Sequence, residues 1–143
     1  MDRRKFIENS CLTCVAVAFG SSLLQSCSTM KTVHAFEENG FLVVDKSEFG
    51  SANSDEKINS IIVASNSLKV PLILFKTGED SYEAISLKCT HKGVKLDYEN
   101  NEFKCSAHGS IFDREGEVVK GPAKQNLKHY KTDKTVTTIR IEV

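Results

Sequence analysis

From Phe41 onward the chain alternates short apolar runs with polar clusters, and no segment holds an apolar face at helical spacing for long. Phe41-Leu42-Val43-Val44, Ile61-Ile62-Val63, Val70 to Lys76 and Tyr82 to Leu87 read as strands, separated by Gly, Asn, Ser and Asp clusters that favour turns. Glu102-Phe103-Lys104 and Ile111-Phe112 continue the series. A turn at Asp113-Arg114-Glu115-Gly116 follows, then strands over Glu117 to Lys120, Leu127 to Lys131 and Thr135 to Val143. The last alternates cleanly, with Ile139, Ile141 and Val143 on one face and Arg140 and Glu142 on the other. Short strands with turns about every 8 to 12 residues predict an all-β domain, a sandwich or small barrel. No internal repeat is visible.

Residues 1–26 are a different material. Asp2-Arg3-Arg4-Lys5-Phe6-Ile7 is basic, and Cys11 to Leu24 is apolar or small, which is the layout of an export signal. Spanning a bilayer takes about 20 apolar residues, and this stretch is shorter and carries Gly20, Ser21 and Ser22. The start, Arg3-Arg4-x-Phe6-Ile7, resembles a twin-arginine signal, with Glu8 where a basic residue is frequent. Leu24-Gln25-Ser26-Cys27 resembles a lipobox, so the mature chain is expected to begin at a lipidated Cys27 whose acyl chains hold it at a membrane. The alternative is an uncleaved transmembrane helix with Cys27 a bystander. Cys11 and Cys14, inside the apolar core of the signal, read as small hydrophobes. Ser28 to Gly40 is polar and without a period, and reads as a tether. The expected organisation is therefore a signal over 1–26, a lipidated tether over 27–40 and one domain over 41–143.

With 143 residues, 40 % hydrophobic and 27 % charged, the chain has the composition of one globular domain. Lys plus Arg and Asp plus Glu balance at 19 each, so no overall field recruits nucleic acid. Of 5 Cys, cleavage before Cys27 leaves Cys27, Cys89 and Cys105. With one carrying lipid, a structural disulfide is not expected, and the domain relies on its core and on bound metal.

Cys89-Thr90-His91-Lys92-Gly93 and Cys105-Ser106-Ala107-His108-Gly109-Ser110 carry the chemistry, each just past a predicted strand. Together they offer two thiolates and two imidazoles on two loops. A tetrahedral zinc site accepts the same four ligands, but structural zinc motifs usually pair Cys with Cys and His with His at short spacing. Here each loop contributes one of each, which suits a 2Fe-2S cluster in which both loops reach both irons. Gly93 and Gly109 permit close approach of backbone amides to sulfur. His34 and His129 fall outside any pattern and read as ordinary residues.

Residues 82–131 resemble a Rieske domain: Cys89-x-His91, then Cys105-x-x-His108-Gly109-Ser110-x-Phe112-Asp113, Gly116, Gly121-Pro122-Ala123 and Leu127-x-x-Tyr130. The resemblance implies stacked antiparallel sheets with two cluster-binding loops at one tip and one 2Fe-2S cluster per chain. Cys89 and Cys105 then hold the inner iron, and His91 and His108 the outer one. It also implies that Gly121 and Pro122 belong to a loop covering the cluster, and that the imidazoles titrate with reduction. Respiratory members carry an additional disulfide between the two loops, at the positions of Val94 and Ala107, so this chain resembles the ferredoxin-like members. Two hydroxyls raise the potential in the respiratory branch. Ser110 matches one, and Phe112 stands where the other, a Tyr, would be. Lys92 is charged where an apolar residue is common; it is expected to favour the reduced cluster, to meet an acidic partner, or to stand as a solvated side chain on the loop tip.

The function this implies is one-electron transfer by an exported lipoprotein facing the periplasm, with an oxidoreductase, a quinol system or a cytochrome as redox partner. It acts as a stand-alone carrier or as a subunit of a respiratory-type oxidoreductase. The alternatives are an iron-sulfur subunit of an arsenite-oxidase-like or quinol-oxidising enzyme, and a structural zinc-binding interaction protein. A self-sufficient Rieske oxygenase is set aside, because the chain is too short for a further catalytic domain.

Overall fold

The run Leu72-Ile73-Leu74-Phe75 has no polar residue to mark an outer face. A strand so composed must be covered on both sides. In the computed structural model, which describes residues 30–50 and 58–143, it lies at the centre of three stacked sheets. The predicted signal over 1–26, with Arg3, Arg4, Cys11 and Cys14, and the predicted lipid site Cys27 lie outside the described residues. No helix among the described residues is long and apolar enough to cross a membrane.

The strands are β1 (Thr32–His34), β2 (Phe36–Glu38), β3 (Phe41–Asp45), β4 (Ser60–Ala64), β5 (Leu72–Lys76), β6 (Tyr82–Ser86), β7 (Asp97–Glu99), β8 (Glu102–Lys104), β9 (Ile111–Phe112), β10 (Val118–Lys120), β11 (His129–Tyr130), β12 (Thr132–Lys134) and β13 (Thr138–Glu142), with a 3-10 turn over Lys46–Phe49. The central sheet runs β1-β4-β5-β6-β11, flanked by β12-β13-β3-β2 and by β10-β9-β8-β7. All ladders are antiparallel except β1 on β4. The all-β prediction holds.

Alternation along β5 and β6 divides the interior. Leu72, Leu74 and Ala84 join Leu42, Val44, Ile61, Val63, Ile139 and Ile141 in one core. Ile73, Phe75 and Ile85 turn the other way, onto Leu87, Leu96, Phe103, Phe112 and Leu127. Each fully buried aliphatic or aromatic side chain contributes about 1.5 to 3 kcal/mol. Cys89 and Cys105 belong to this second core, at 1 % and 3 % exposure. The β13 prediction is matched at Ile139 and Ile141, both fully buried against Val44 and Leu42.

The stretch 28–40, expected as tether, is corrected over 32–38. β1 pairs in parallel with β4, and β2 forms a hairpin with β3. Asn39 and Gly40, at φ +51° and +82°, supply the left-handed pair that a two-residue hairpin requires. Val33 and Ala35 pack on the first core, and the strands are too short to display a period. β7 and β12 were also absent from the sequence reading; Asn100 and Asn101, at φ +54° and +62°, turn β7 into β8.

Candidate metal centre

The two ligand segments are built on one backbone plan. In the first, the Cys89 N–H donates to Val94 O and the Gly93 N–H to Cys89 O, both at 2.8 Å. In the second, the Cys105 N–H donates to Ser110 O at 2.9 Å and the Gly109 N–H to Cys105 O at 2.8 Å. Each is thus a tight loop closed on its own cysteine, with glycine at φ +73° in one and +76° in the other. A side chain at either glycine would be forced into left-handed backbone. The loops spring from neighbouring layers, since Cys89 follows β6 and Cys105 follows β8.

The structure brings the four predicted donors to one end of the second core. Cys89 and Cys105 are buried free thiols. The His91 and His108 rings lie 4.8 Å apart, centre to centre, with planes at 85°. His91 is half-buried and its Nδ1 is fully covered with no hydrogen-bond partner; His108 is exposed. Burial, then the charges of His108 and Lys92, hold the His91 imidazole below its ordinary pKa. A covered, unpartnered ring nitrogen costs free energy unless something accepts its lone pair or proton, and a metal ion is such a group. Among the described residues no three His, Cys, Asp or Glu side chains gather as a set for a single ion.

A third segment locks the loops together. The buried Ala123 N–H donates to Ser110 Oγ at 3.0 Å, and Thr90 Oγ1 donates to Gln125 O at 2.7 Å. Ser110 is fully buried, and because its oxygen accepts from Ala123, its own proton stays available for a neighbouring sulfur. Gly121 and Pro122 are exposed at the start of this segment, and Leu127 anchors its end through an N–H···O bond to Gly116. Phe112 is fully buried beside Phe103 and offers no polar atom. Lys92 is exposed, and Val94 and Ala107 leave the loops without a cross-link.

Thr90 and Gln125 carry no sequence signal of this role, and Ala123 enters the sequence only as part of the Gly121-Pro122-Ala123 motif. Thr90 is marked only by its place between Cys89 and His91; the other two bond across the fold, and those bonds leave no local mark. His129, expected to be ordinary, lies within 2.9 Å of Glu115 O through Nε2 and 3.3 Å of Glu83 through Nδ1. It joins the end of the central sheet to the turn before β10.

A small three-layered β domain presenting two buried thiols and two adjacent imidazoles on matched loops belongs to the metal-centre class of β proteins. The sequence profile of the Rieske [2Fe-2S] domain family matches residues 21–131, and the chain belongs to that family. Its cofactor is one 2Fe-2S cluster. The cytochrome b6-f complex iron-sulfur subunit 1 of Nostoc sp. is 45 % identical over 60 residues, covering 38 % of this chain and 34 % of the relative. The chloroplastic cytochrome b6-f complex iron-sulfur subunit of Chlamydomonas reinhardtii is 39 % identical over 61 residues, covering 40 % and 30 %. The chain spans about a third of the length of these curated relatives. A solved chain from the complex of reduced oxygenase and oxidized ferredoxin in carbazole 1,9a-dioxygenase shares the fold at a TM-score of 0.50 and 17 % identity, over 73 % of this chain and 94 % of that one.

Proposed function

We propose that this protein is a one-electron carrier in which Cys89 and Cys105 hold the inner iron of the cluster and His91 and His108 the outer. The observation that carries the reading is the pairing of buried thiols with a half-buried and an exposed imidazole on loops of one backbone plan. The cluster, when bound, supplies reversible one-electron chemistry. The chain's part is to exclude water from the sulfurs and to hold the imidazoles toward solvent. It also aims the Ser110 hydroxyl at the sulfur side. Ser110 stabilises added negative charge and Phe112 does not, which supports a midpoint below that of the respiratory subunits, within the roughly −150 to +300 mV Rieske range.

The finer reading places the carrier on the outer face of a bacterial cytoplasmic membrane. The Arg3-Arg4 signal exports it with its cluster already folded in, and lipid on Cys27 retains it. Its partners are then a membrane or periplasmic oxidoreductase, a quinol system or a cytochrome. The names of the curated relatives favour a second reading, an iron-sulfur subunit of a cytochrome complex, and Val94 and Ala107 weigh against it by leaving no loop disulfide. Co-purification from the membrane separates the two. The cluster itself is tested by expression with iron-sulfur assembly and an EPR-monitored potentiometric titration. A colourless zinc-bearing protein, silent in EPR after reduction, rules the reading out.

A further inference from the structure

The described lysines fall into two groups. Lys31, Lys46, Lys104, Lys131 and Lys134 each have a carboxylate within 4 Å. Lys88, Lys92, Lys95, Lys120, Lys124 and Lys128 have none among the described residues; Lys88, Lys92 and Lys95 lie on or beside the first ligand loop, Lys124 on the segment that locks it, and Lys120 and Lys128 at that segment's two ends. Of the remainder, only Lys69 and Lys76 are likewise unpaired elsewhere. Lys88, Lys92 and Lys128 line an open cleft of about 580 Å³ whose wall includes His91, Thr90 and Gln125, and no Asp or Glu lines it.

Two of its charged side chains are packed against neighbours. The Lys88 stem runs over Gly93, where a Cβ would meet Lys88 Cε at 3.0 Å. The Lys128 ammonium sits 4.2 Å from the centre of the Tyr130 ring. The Thr90 to Gln125 bond ties the two walls of the cleft together. Lys88, Lys92 and Lys128 have no counter-charge on the cleft wall, and a carboxylate placed among them relieves their mutual repulsion.

We propose that this cleft receives the carboxylates of an acidic redox partner protein, seating it against His91. This rests on the electron-transfer reading above. A protein surface, rather than a small free anion, is favoured because the unpaired positive surface continues past the cleft. Lys95 pairs across from Lys88 in an antiparallel bridge, and Lys124 precedes Gln125. Such a field accelerates encounter more than it tightens the final complex. It arises in a chain whose total charge is zero, because the carboxylates are spent elsewhere.

The test uses the cluster-loaded full chain, the double variant Lys88→Gln/Lys128→Gln and the control Lys69→Gln/Lys76→Gln. Binding of fluorescent poly-L-glutamate is read by anisotropy, with citrate as a small-anion competitor. Oxidation of the reduced protein is followed with anionic hexacyanoferrate(III) and cationic tris(phenanthroline)cobalt(III). The expected result is about tenfold weaker poly-L-glutamate binding in the first variant at low salt, from about 0.7 kcal/mol per exposed charge. Oxidation by the anionic complex slows and oxidation by the cationic one does not; the control matches wild type. Equal affinity in wild type and variant overturns the proposal. So does citrate binding as tightly as poly-L-glutamate at matched charge, which makes the cleft a small-anion site. A wild-type protein without the reduced-cluster EPR signal refutes the electron-transfer reading instead, and the anisotropy arm still reports on the cleft.

Discussion

The two ligand loops share a backbone and differ in almost everything that hangs on it. Each closes an N–H···O pair on its own cysteine and turns at a glycine four residues on. The histidine, however, follows its cysteine by two residues in the first loop and by three in the second. His91 comes to lie half-buried with Nδ1 covered, while His108 is exposed. The first loop is bordered by unpaired lysines and fastened through the partly exposed Thr90. The second is fastened through Ser110, which is fully buried. One turn, used twice, supplies equivalent thiols. The displaced histidines and unlike fasteners then give the site a lysine-bordered flank and a flank closed by a buried hydroxyl.

The largest effect tests the shared half of that comparison. Cys89→Ser and Cys105→Ser are each expected to abolish the reduced-cluster EPR signal and the visible colour, because each removes one of the two protein ligands proposed for one iron. Apparent thermal stability falls with them, since metal ligation contributes folding free energy. Retention of a cluster in one variant alone would break the equivalence of the thiols.

The fasteners come next. Ser110→Ala strands the buried Ala123 N–H and is expected to cost about 1 to 3 kcal/mol by denaturant unfolding. Thr90→Val cuts an exposed bond and should cost about 0.5 to 1 kcal/mol. Ser110→Ala should also lower the midpoint by about 40 mV, the one-electron equivalent of a net hydrogen bond of about 1 kcal/mol. Phe112→Tyr should raise it by a similar amount, provided the hydroxyl reaches sulfur from the Phe112 site. A larger stability loss from Thr90→Val than from Ser110→Ala would reverse the assignment of the flanks.

The glycines separate backbone from surroundings. Gly93→Ala and Gly109→Ala both force alanine into left-handed backbone, at about 1 to 2 kcal/mol. At Gly109 nothing lies within 4 Å of the added carbon, whereas at Gly93 the Lys88 Cε stands at 3.0 Å. The Gly93 variant should therefore be slightly the worse, and Lys88→Ala in the same chain should bring the two level. A double-mutant cycle reads the difference.

What the sequence disclosed about this site follows from the range of each interaction. The candidate donors Cys89, His91, Cys105 and His108 fall in two windows of a few residues, so their spacing is visible without a fold; the structure buries both cysteines and sets the two imidazoles 4.8 Å apart. β3, β4, β5, β6, β8, β9, β10, β11 and β13 are legible as apolar runs, alternation or steps in the strand-and-turn series. β1, β2, β7 and β12 are three residues long, shorter than any period that a polar stretch can display. The bonds from Ala123 to Ser110 and from Thr90 to Gln125 join residues 13 and 35 positions apart, and no local pattern announces either pairing. The same holds for the lysine cleft, where Lys88 and Lys128 meet only because β11 pairs with β6.

The smallest expected effect lies at the other end of β6, where the carboxylate of Asp80 joins Lys46 and Lys134 at 2.6 and 2.8 Å. Here, unlike at the cluster tip, the lysines are neutralised. Hydrogen bonds from Lys134 and then Lys46 hold the Asp80 carboxyl down to about 2. A carboxyl depressed in the folded state stabilises it at every pH above its ordinary range near 3.8, and the contribution disappears as pH falls through about 2. Asp80→Asn should therefore lower stability slightly at neutral pH and flatten the acid-unfolding profile between those two values. Because the group is exposed, the difference should shrink as salt is added. The cluster signal and the potential should not move, since five residues of strand and the whole first loop intervene. A shift in potential on losing Asp80 would mean that the paired and unpaired lysine groups are coupled through the central sheet, and the separation of the molecule into a neutralised end and a partner-facing end would fail.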